Sequence, residues 1–294
     1  MPRAAWAEPQ RQPPSKKGEE PVTVLVTGFG PFLQNFPRNS SWEIASTLPA
    51  LLPATLSSPT PIHINVHHEA IRVAYDAVTD LVPTLLKPRS PPADIILHIG
   101  LAAGRDFYTL EKGAHSRGFG AIPDVDGKRF PDDRAERKFP RSKFPRTLHT
   151  SFDTDDVVER WQQNLGYSKS ATTSLDEQQK SNLLADVRIS QDAGNFLCGF
   201  IYLNSLAHYF ELKEDERPVA FLHVPDLSRS KEQLDVGREV AIALIKALVE
   251  SRRQMGVVDG TGRVVREKDG EVRTVGRDVD EDVDAKAKTD VNFQ

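Results

Sequence analysis

Two rhythms of hydrophobic and polar positions alternate along this chain, short β-branched runs and longer stripes at helical spacing. The run Val22-Thr-Val-Leu-Val-Thr27 is apolar on both faces, which predicts a strand in the interior of a parallel sheet. Gly28-Phe-Gly-Pro-Phe32 breaks it with a tight loop, and Asn39-Ser-Ser-Trp-Glu-Ile-Ala45 then places cap-type residues ahead of apolar ones and predicts a crossover helix. Residues Ile62 to Val66 alternate as a second strand. Val73, Ala77, Leu81 and Leu85 mark an amphipathic helix that continues past Pro83 with a kink. Asp94 to Gly100 reads as a central strand, and Phe107 to His115 as an alternating stretch that contains Glu111. Farther on, an apolar β run stops at Ser190, turns through Asp192 and Gly194, and enters a helix-like segment from Phe196 to Phe210. Pro218 to Pro225 is a strand ended by proline, and Ser230 to Arg253 is a helix with Leu234, Ala241, Leu244, Ile245 and Leu248 on one face. Strand and helix in alternation predict an α/β fold, a mostly parallel sheet with helices on both faces.

Three stretches fall outside this rhythm. Residues 1–20 carry Pro, Lys, Arg and Glu without periodicity and are expected to form a disordered tail. From about 127 to 182 the pattern lapses. There Lys128, Arg129, Arg134, Arg137, Lys138, Arg141, Lys143 and Arg146 outnumber the acids, which predicts a basic, solvated surface insertion, with one short helix from Asp153 to Asn164 carrying Val157, Val158 and Trp161. Residues 255–294 are expected to be a flexible, acidic-ended tail, leaving a single domain over 21–254. With 38% hydrophobic residues in 294, a sizeable core is within reach, while a net charge of −4 gives no reason to propose nucleic acid as a partner. No run approaches the ~18 apolar residues of a membrane span, and the N-terminus lacks the apolar core of a signal peptide. One cysteine and no export signal make a reducing, cytoplasmic setting the expectation.

That lone cysteine, Cys198, cannot belong to an intramolecular disulfide or a multi-cysteine metal site. If Asn195 is the N-cap, Cys198 lies in the first helical turn, where free N–H groups and the helix dipole favour a thiolate. As a single thiol it is open to two readings, a small buried hydrophobe or a nucleophile. Glu111 could equally be a strand-end surface residue, and Phe29 and Phe32 either core or a ligand wall. What joins them is position: the segments around Phe29, Glu111, Cys198 and His223 all fall at strand ends or strand-to-helix turns, where open α/β sheets gather their sites. Cys, His and carboxylate supply a nucleophile, a base that later protonates the leaving amine, and a group that holds the imidazole tautomer. The Gly28-Phe-Gly30 loop has no third glycine at dinucleotide-binding spacing.

At these residues the sequence resembles the pyroglutamyl peptidase type I family, the pyrrolidone-carboxylate peptidases. The resemblance is carried by Gly28-Phe-Gly-Pro-Phe32 followed by Asn39-Ser-Ser-Trp-Glu43, Gly100-Leu-Ala-Ala-Gly-Arg105 with Leu110-Glu111, Ser190-Gln-Asp-Ala-Gly-Asn-Phe-Leu-Cys198, and Phe221-Leu-His-Val-Pro225. It covers roughly Val22 to Leu227 with interruptions, plus the final helix. It implies an α/β/α sandwich of the phosphorylase/hydrolase-like type and a cytoplasmic cysteine peptidase that needs no metal or cofactor and removes an N-terminal pyroglutamyl residue from peptides. Under it Cys198 becomes the nucleophile, His223 the general base and acid, Glu111 the orienting carboxylate, and Phe29 and Phe32 the residues that hold the lactam ring.

The chain departs from the family in two places. Gly199 follows the cysteine where many relatives carry a polar residue, and Ala121 stands ahead of Ile122-Pro-Asp124 where some bacterial members have an arginine, so any arginine help to an oxyanion would have to come from Arg117 or Arg129. Two other readings stand beside it: a non-catalytic module on the same fold that recognises pyroglutamyl termini, and a nucleoside-phosphorylase-like transferase on a related fold, which would need a phosphate site and no Cys198.

Overall fold

A computed structural model describes residues 20–32, 37–56, 58–87, 93–167, 185–212, 216–258, 264–268 and 271–275. Residues 1–19, on which the expected N-terminal tail falls, lie outside them. Strand β1 (Val22–Gly28) runs parallel to β3 (Ile62–Val66) on one side and to β4 (Ile95–Leu101) on the other. All seven residues of β4 are buried, as the continuous apolar run requires of a strand covered on both faces. Strand β9 (Val219–Val224) extends the parallel set beyond β4, β5 (Tyr108–Glu111) joins β9 antiparallel, and β8 (Val187–Ser190) closes the edge parallel to β5. With the short antiparallel β2 (Leu51–Leu52), the order is β2-β3-β1-β4-β9-β5-β8. The β5–β9 ladder is only two pairs long, Thr109 opposite His223 and Leu110 opposite Leu222.

Alternation along the strands separates two apolar layers. Val24, Val26, Ile95, Leu97, Leu110 and Leu222 pack with α1 (Ser40–Ala45), α4 (Thr154–Asn164) and α6 (Lys231–Met255). Leu25, Ile96 and Phe221 face the other way, onto α2 (Tyr75–Leu85) and α5 (Leu197–Leu212). The result is an α/β/α sandwich. Helix α5 is buried on every side over its first three turns, so its apolar residues show no stripe. Helix α6 begins one residue after its expected start because Ser230 caps it, its hydroxyl accepting from Gln233 N at 3.1 Å. In α2 the buried face is Tyr75, Val78, Val82 and Leu85, with Pro83 inside the helix.

The stretch expected to be a solvated insertion is packed into this core. Phe130, Phe139, Phe144 and Phe152 are all at most 5% exposed, and Trp161 is fully buried with its indole N–H donating to Val240 O at 2.9 Å. The Phe-Pro steps that looked like interruptions place the rings. Phe130, Phe139 and Phe144 join the α2/α5 layer, Phe152 and Trp161 the α4/α6 layer. The stretch also forms α3 (Asp132–Lys138) and an antiparallel pair, β6 (Gly113–His115) with β7 (Thr147–His149). Its basic residues are spent largely on surface ion pairs: Lys128 and Arg134 both meet Asp76, and Lys143 meets Glu211. Residues 168–182 of the expected insertion lie outside the described residues. In the expected C-terminal tail, the backbone forms three short antiparallel strands, β10 (Val257–Val258), β11 (Val264–Lys268) and β12 (Glu271–Val275). Among the described residues no helix is long and apolar enough to cross a membrane.

Candidate active site

The site forms on the α5 face of the sheet, where the antiparallel β5 meets β9. Thr109 lies opposite His223 in the ladder, and Glu111, two residues on, points to the same face because side chains repeat every second residue. His223 Nδ1 is 2.8 Å from Glu111 Oε1, so the ring is 112 positions from its partner in sequence and in direct contact in space. Glu111 is fully buried and His223 only 5% exposed. Thr109 Oγ1 donates to Glu111 Oε1 at 2.7 Å, and Ser190, opposite Glu111 on β8, supports the same carboxylate. Burial alone would push that carboxyl up. His223, then Ser190 and Thr109, outweigh it and hold Glu111 below its ordinary value, an anion at neutral pH.

Cys198 reaches this pair from the start of α5. The helix begins at Leu197, and Phe200 N donates to Phe196 O, so the cap is Phe196, one residue later than the expected Asn195. Cys198 still stands in the first turn, where backbone N–H groups have no carbonyl four residues behind them within the helix. The turn before it is fixed by chemistry at two glycines. Gly194 adopts φ +80 with its N–H on Asp192 Oδ1, and a Cβ on Gly199 would lie 1.7 Å from Gly194 O, so only glycine lets the helix start against this turn. Gly199, where many relatives are polar, is therefore dictated by packing. A third glycine makes room for the sulfur: Gly100 on β4 pairs with His223, and a Cβ there would lie 2.8 Å from Cys198 Sγ. Burial works against a charged His223 ring, but the Cys198 sulfur and then Glu111 outweigh it and raise His223 to about 9. The arrangement is that of a sulfur nucleophile beside an imidazolium, backed by a carboxylate.

The two phenylalanines part company. Phe29 is 2% exposed within the α2/α5 layer, and its backbone bridges Ile71, with Gly30 N donating to Ile71 O and Ile71 N to Gly28 O. Phe32 is half-buried against Phe196, two residues before the cysteine, with ring centroids 6.5 Å apart. Asn39 and Ser41, which the sequence offered only as helix caps, also fasten this loop: Asn39 Nδ2 donates to Gly30 O, and Phe29 N donates to Ser41 Oγ. Neither arginine considered for an oxyanion is free for it, since Arg117 is engaged by Glu136, Ser116 O and Phe139 O, and Arg129 by the carbonyls of Gly120 and Ala121.

Sequence reasoning passed over Thr109, Ser190, Asp192 and the space-making role of Gly100. The spacing Thr109-x-Glu111 was a signal, because a period of two puts both on one face of a strand. Asp192 binds Gly194 N and faces His115 Nε2 at 3.3 Å, and burial pushes its carboxyl up. Among the described residues one group could gather around a metal, His67, His68 and Glu69, of which His68 and Glu69 are exposed and none belongs to the cluster above.

A pyroglutamyl peptidase family model matches residues 22–148, a span that includes the Gly28–Phe32 loop and Glu111. Human pyroglutamyl-peptidase 1 is 29% identical over 236 residues, 79% of this chain and 91% of that protein, and a stretch that long necessarily includes Glu111, Cys198 and His223. Pyrrolidone-carboxylate peptidase of Deinococcus radiodurans is 28% identical over 204 residues, 69% of this chain and 78% of that one. Two solved structures share the fold. A mutant pyrrolidone carboxyl peptidase from Pyrococcus furiosus superposes with a TM-score of 0.56 at 21% identity, covering 78% of this chain and 99% of that one. Pyroglutamyl peptidase I of Bacillus amyloliquefaciens gives 0.54 at 22%, covering 79% and 98%. The family model, the relatives and the fold agree on one likeness, to the pyroglutamyl peptidases.

Proposed function

We propose that this protein is a cysteine peptidase that hydrolyses the bond after an N-terminal pyroglutamyl (5-oxoproline) residue, with Cys198 as nucleophile, His223 as proton carrier and Glu111 as its orienting partner. The observation that carries the reading is the His223–Glu111 contact at 2.8 Å, with His223 raised to about 9 beside the Cys198 sulfur. The substrate is a peptide whose first residue is the cyclic lactam.

In the first half-reaction Cys198 Sγ attacks the pyroglutamyl carbonyl carbon, and His223 gives its proton to the departing amine as the C–N bond breaks. The acyl group is left as a thioester on the sulfur. Water then adds to the thioester, its proton passing to His223, and 5-oxoproline leaves as the C–S bond breaks. The carbonyl oxygen, negative in each tetrahedral intermediate, is served by backbone N–H groups in the first turn of α5, which makes an arginine unnecessary. Phe32 with Phe196 supports the lactam ring from the rim, and Phe29 braces the loop from beneath.

Release of 5-oxoproline from a pyroglutamyl peptide tests the proposal, with the same peptide beginning in glutamine as the control. The open-chain residue carries an ammonium that an apolar wall cannot hydrate, at a cost of several kcal/mol. A preference of at least ~100-fold in kcat/KM for the lactam is expected. Equal rates on the two peptides would refute the apolar subsite, and no release from either would refute the function.

A further inference from the structure

The anion at the back of the site is held from a direction the Cys–His–Glu chemistry does not use. Arg105 follows β4 in a turn closed by Arg105 N to Ala102 O, and its side chain is only 16% exposed. Its Nη1 donates to Thr109 Oγ1 at 2.8 Å and to Glu111 Oε1 at 3.2 Å, while the Thr109 hydroxyl donates onward to the same Oε1 at 2.7 Å. His223 meets that oxygen too, so three groups converge on Oε1, whereas the buried Oε2 has no hydrogen-bond partner among the described residues. The three donors leave Oε1 little freedom to turn away from the imidazole.

Charge makes the same point. Glu111 is a fully buried anion, and a buried charge is costly unless it is paired. The His223 ring and the Arg105 guanidinium both meet Oε1, so the carboxylate lies between two cations. We infer that Arg105 is a positioning residue of the reaction, which keeps Glu111 ionised and aims it at His223, with Thr109 as the relay that fixes its angle. This rests on the peptidase reading above, and the substrate does not touch Arg105.

The other groups facing Glu111 are His223 from β9, Ser190 from β8, Asp192 from the turn before α5, and Tyr202 from α5, whose hydroxyl donates to Glu111 O at 3.1 Å. They remain in place when Arg105 is changed. Removing the nearby cation favours protonation of Glu111, so the form that supports His223 is lost at a higher pH than in the parent. For Arg105→Met we expect kcat to fall ~30-fold with KM within about twofold, and the acid limb of the pH profile to move upward by about one unit. Arg105→Lys should recover to within ~3-fold of the parent, because charge is restored without the fork. Thr109→Val, which keeps the shape and removes the relay, should lower kcat by ~5-fold.

The rate of Cys198 alkylation against pH gives a readout that needs no substrate, so it separates failure of this inference from failure of the peptidase reading. Its acid limb should shift upward in Arg105→Met and return in Arg105→Lys. Parental kcat and parental alkylation profile in Arg105→Met would overturn the inference. So would a loss confined to KM, which would make Arg105 a substrate contact. Should Arg105→Met fail to fold, parental kcat in Thr109→Val would overturn it instead.

Discussion

At the residue scale the site depends on contacts that each do one thing. Cys198→Ala and His223→Ala should each abolish turnover with circular dichroism retained, and the double variant should be no worse than either single, because the residues act as a unit. Glu111→Gln should be milder. It also predicts a pH effect of known sign: His223 is raised to about 9 in the fold against 6.5 when free, so the charged ring stabilises the protein fully below 6.5, and that contribution is lost as pH rises through about 9. The alkaline limb of kcat/KM should lie near that upper value in the parent and move to lower pH in Glu111→Gln, measured on one pyroglutamyl peptide across pH 5 to 10. The meeting of Cys198, His223 and Glu111 was legible because His223 and Glu111 sit where a strand gives out, Cys198 just past a strand-to-helix turn, and all three in recognisable motifs. Phe29 and Arg105 were not, for opposite reasons. A phenylalanine at a loop reads the same whether it faces a ligand or the core, and an arginine after a turn reads as solvated unless the buried partner is known.

At the scale of elements, glycine positions decide how closely α5 approaches the sheet. Gly199→Ala would put a methyl 1.7 Å from Gly194 O, so helix and turn must separate and carry Cys198 with them. A displacement of the order of 1 Å in a nucleophile can cost ~100-fold, and a fall of at least that size in kcat, with circular dichroism retained, is the expected outcome. The stretch around Trp161 was the main misreading of the sequence. Its charges and Phe-Pro steps dilute any periodicity, and what organises it is the sheet and helices it leans on, which no local pattern reveals. Trp161→Ala should therefore destabilise the fold by about 3 to 5 kcal/mol in urea titration, the scale of a large buried aromatic removed from a close-packed core. Deleting about Asp132 to Gln179, which a surface insertion would tolerate, should leave no soluble protein.

At the scale of the whole molecule, the sandwich was legible because its central strands are apolar on both faces and its last helix carries a clean stripe. The antiparallel entry of β5 was not, since a four-residue strand does not announce its direction. A buried histidine links the layers beneath the site: His98 on β4 lies between Thr27 Oγ1 at 2.7 Å and Ser205 Oγ at 2.9 Å, and burial pulls it down to about 3. Its folded value is below its free value of 6.5, so its contribution is present above 6.5 and lost as pH falls toward 3. Urea midpoints should fall across that window, and His98→Gln should flatten the fall. The two-pair ladder between β5 and β9 has a different consequence. It is the seam across which Glu111 reaches His223, and so short a ladder can part while the longer parallel pairings of β1, β4 and β9 hold. Peptidase activity is then an early-warning gauge: on warming, turnover should fade several degrees before ellipticity does, and return on cooling as long as the rest of the sheet has never come apart.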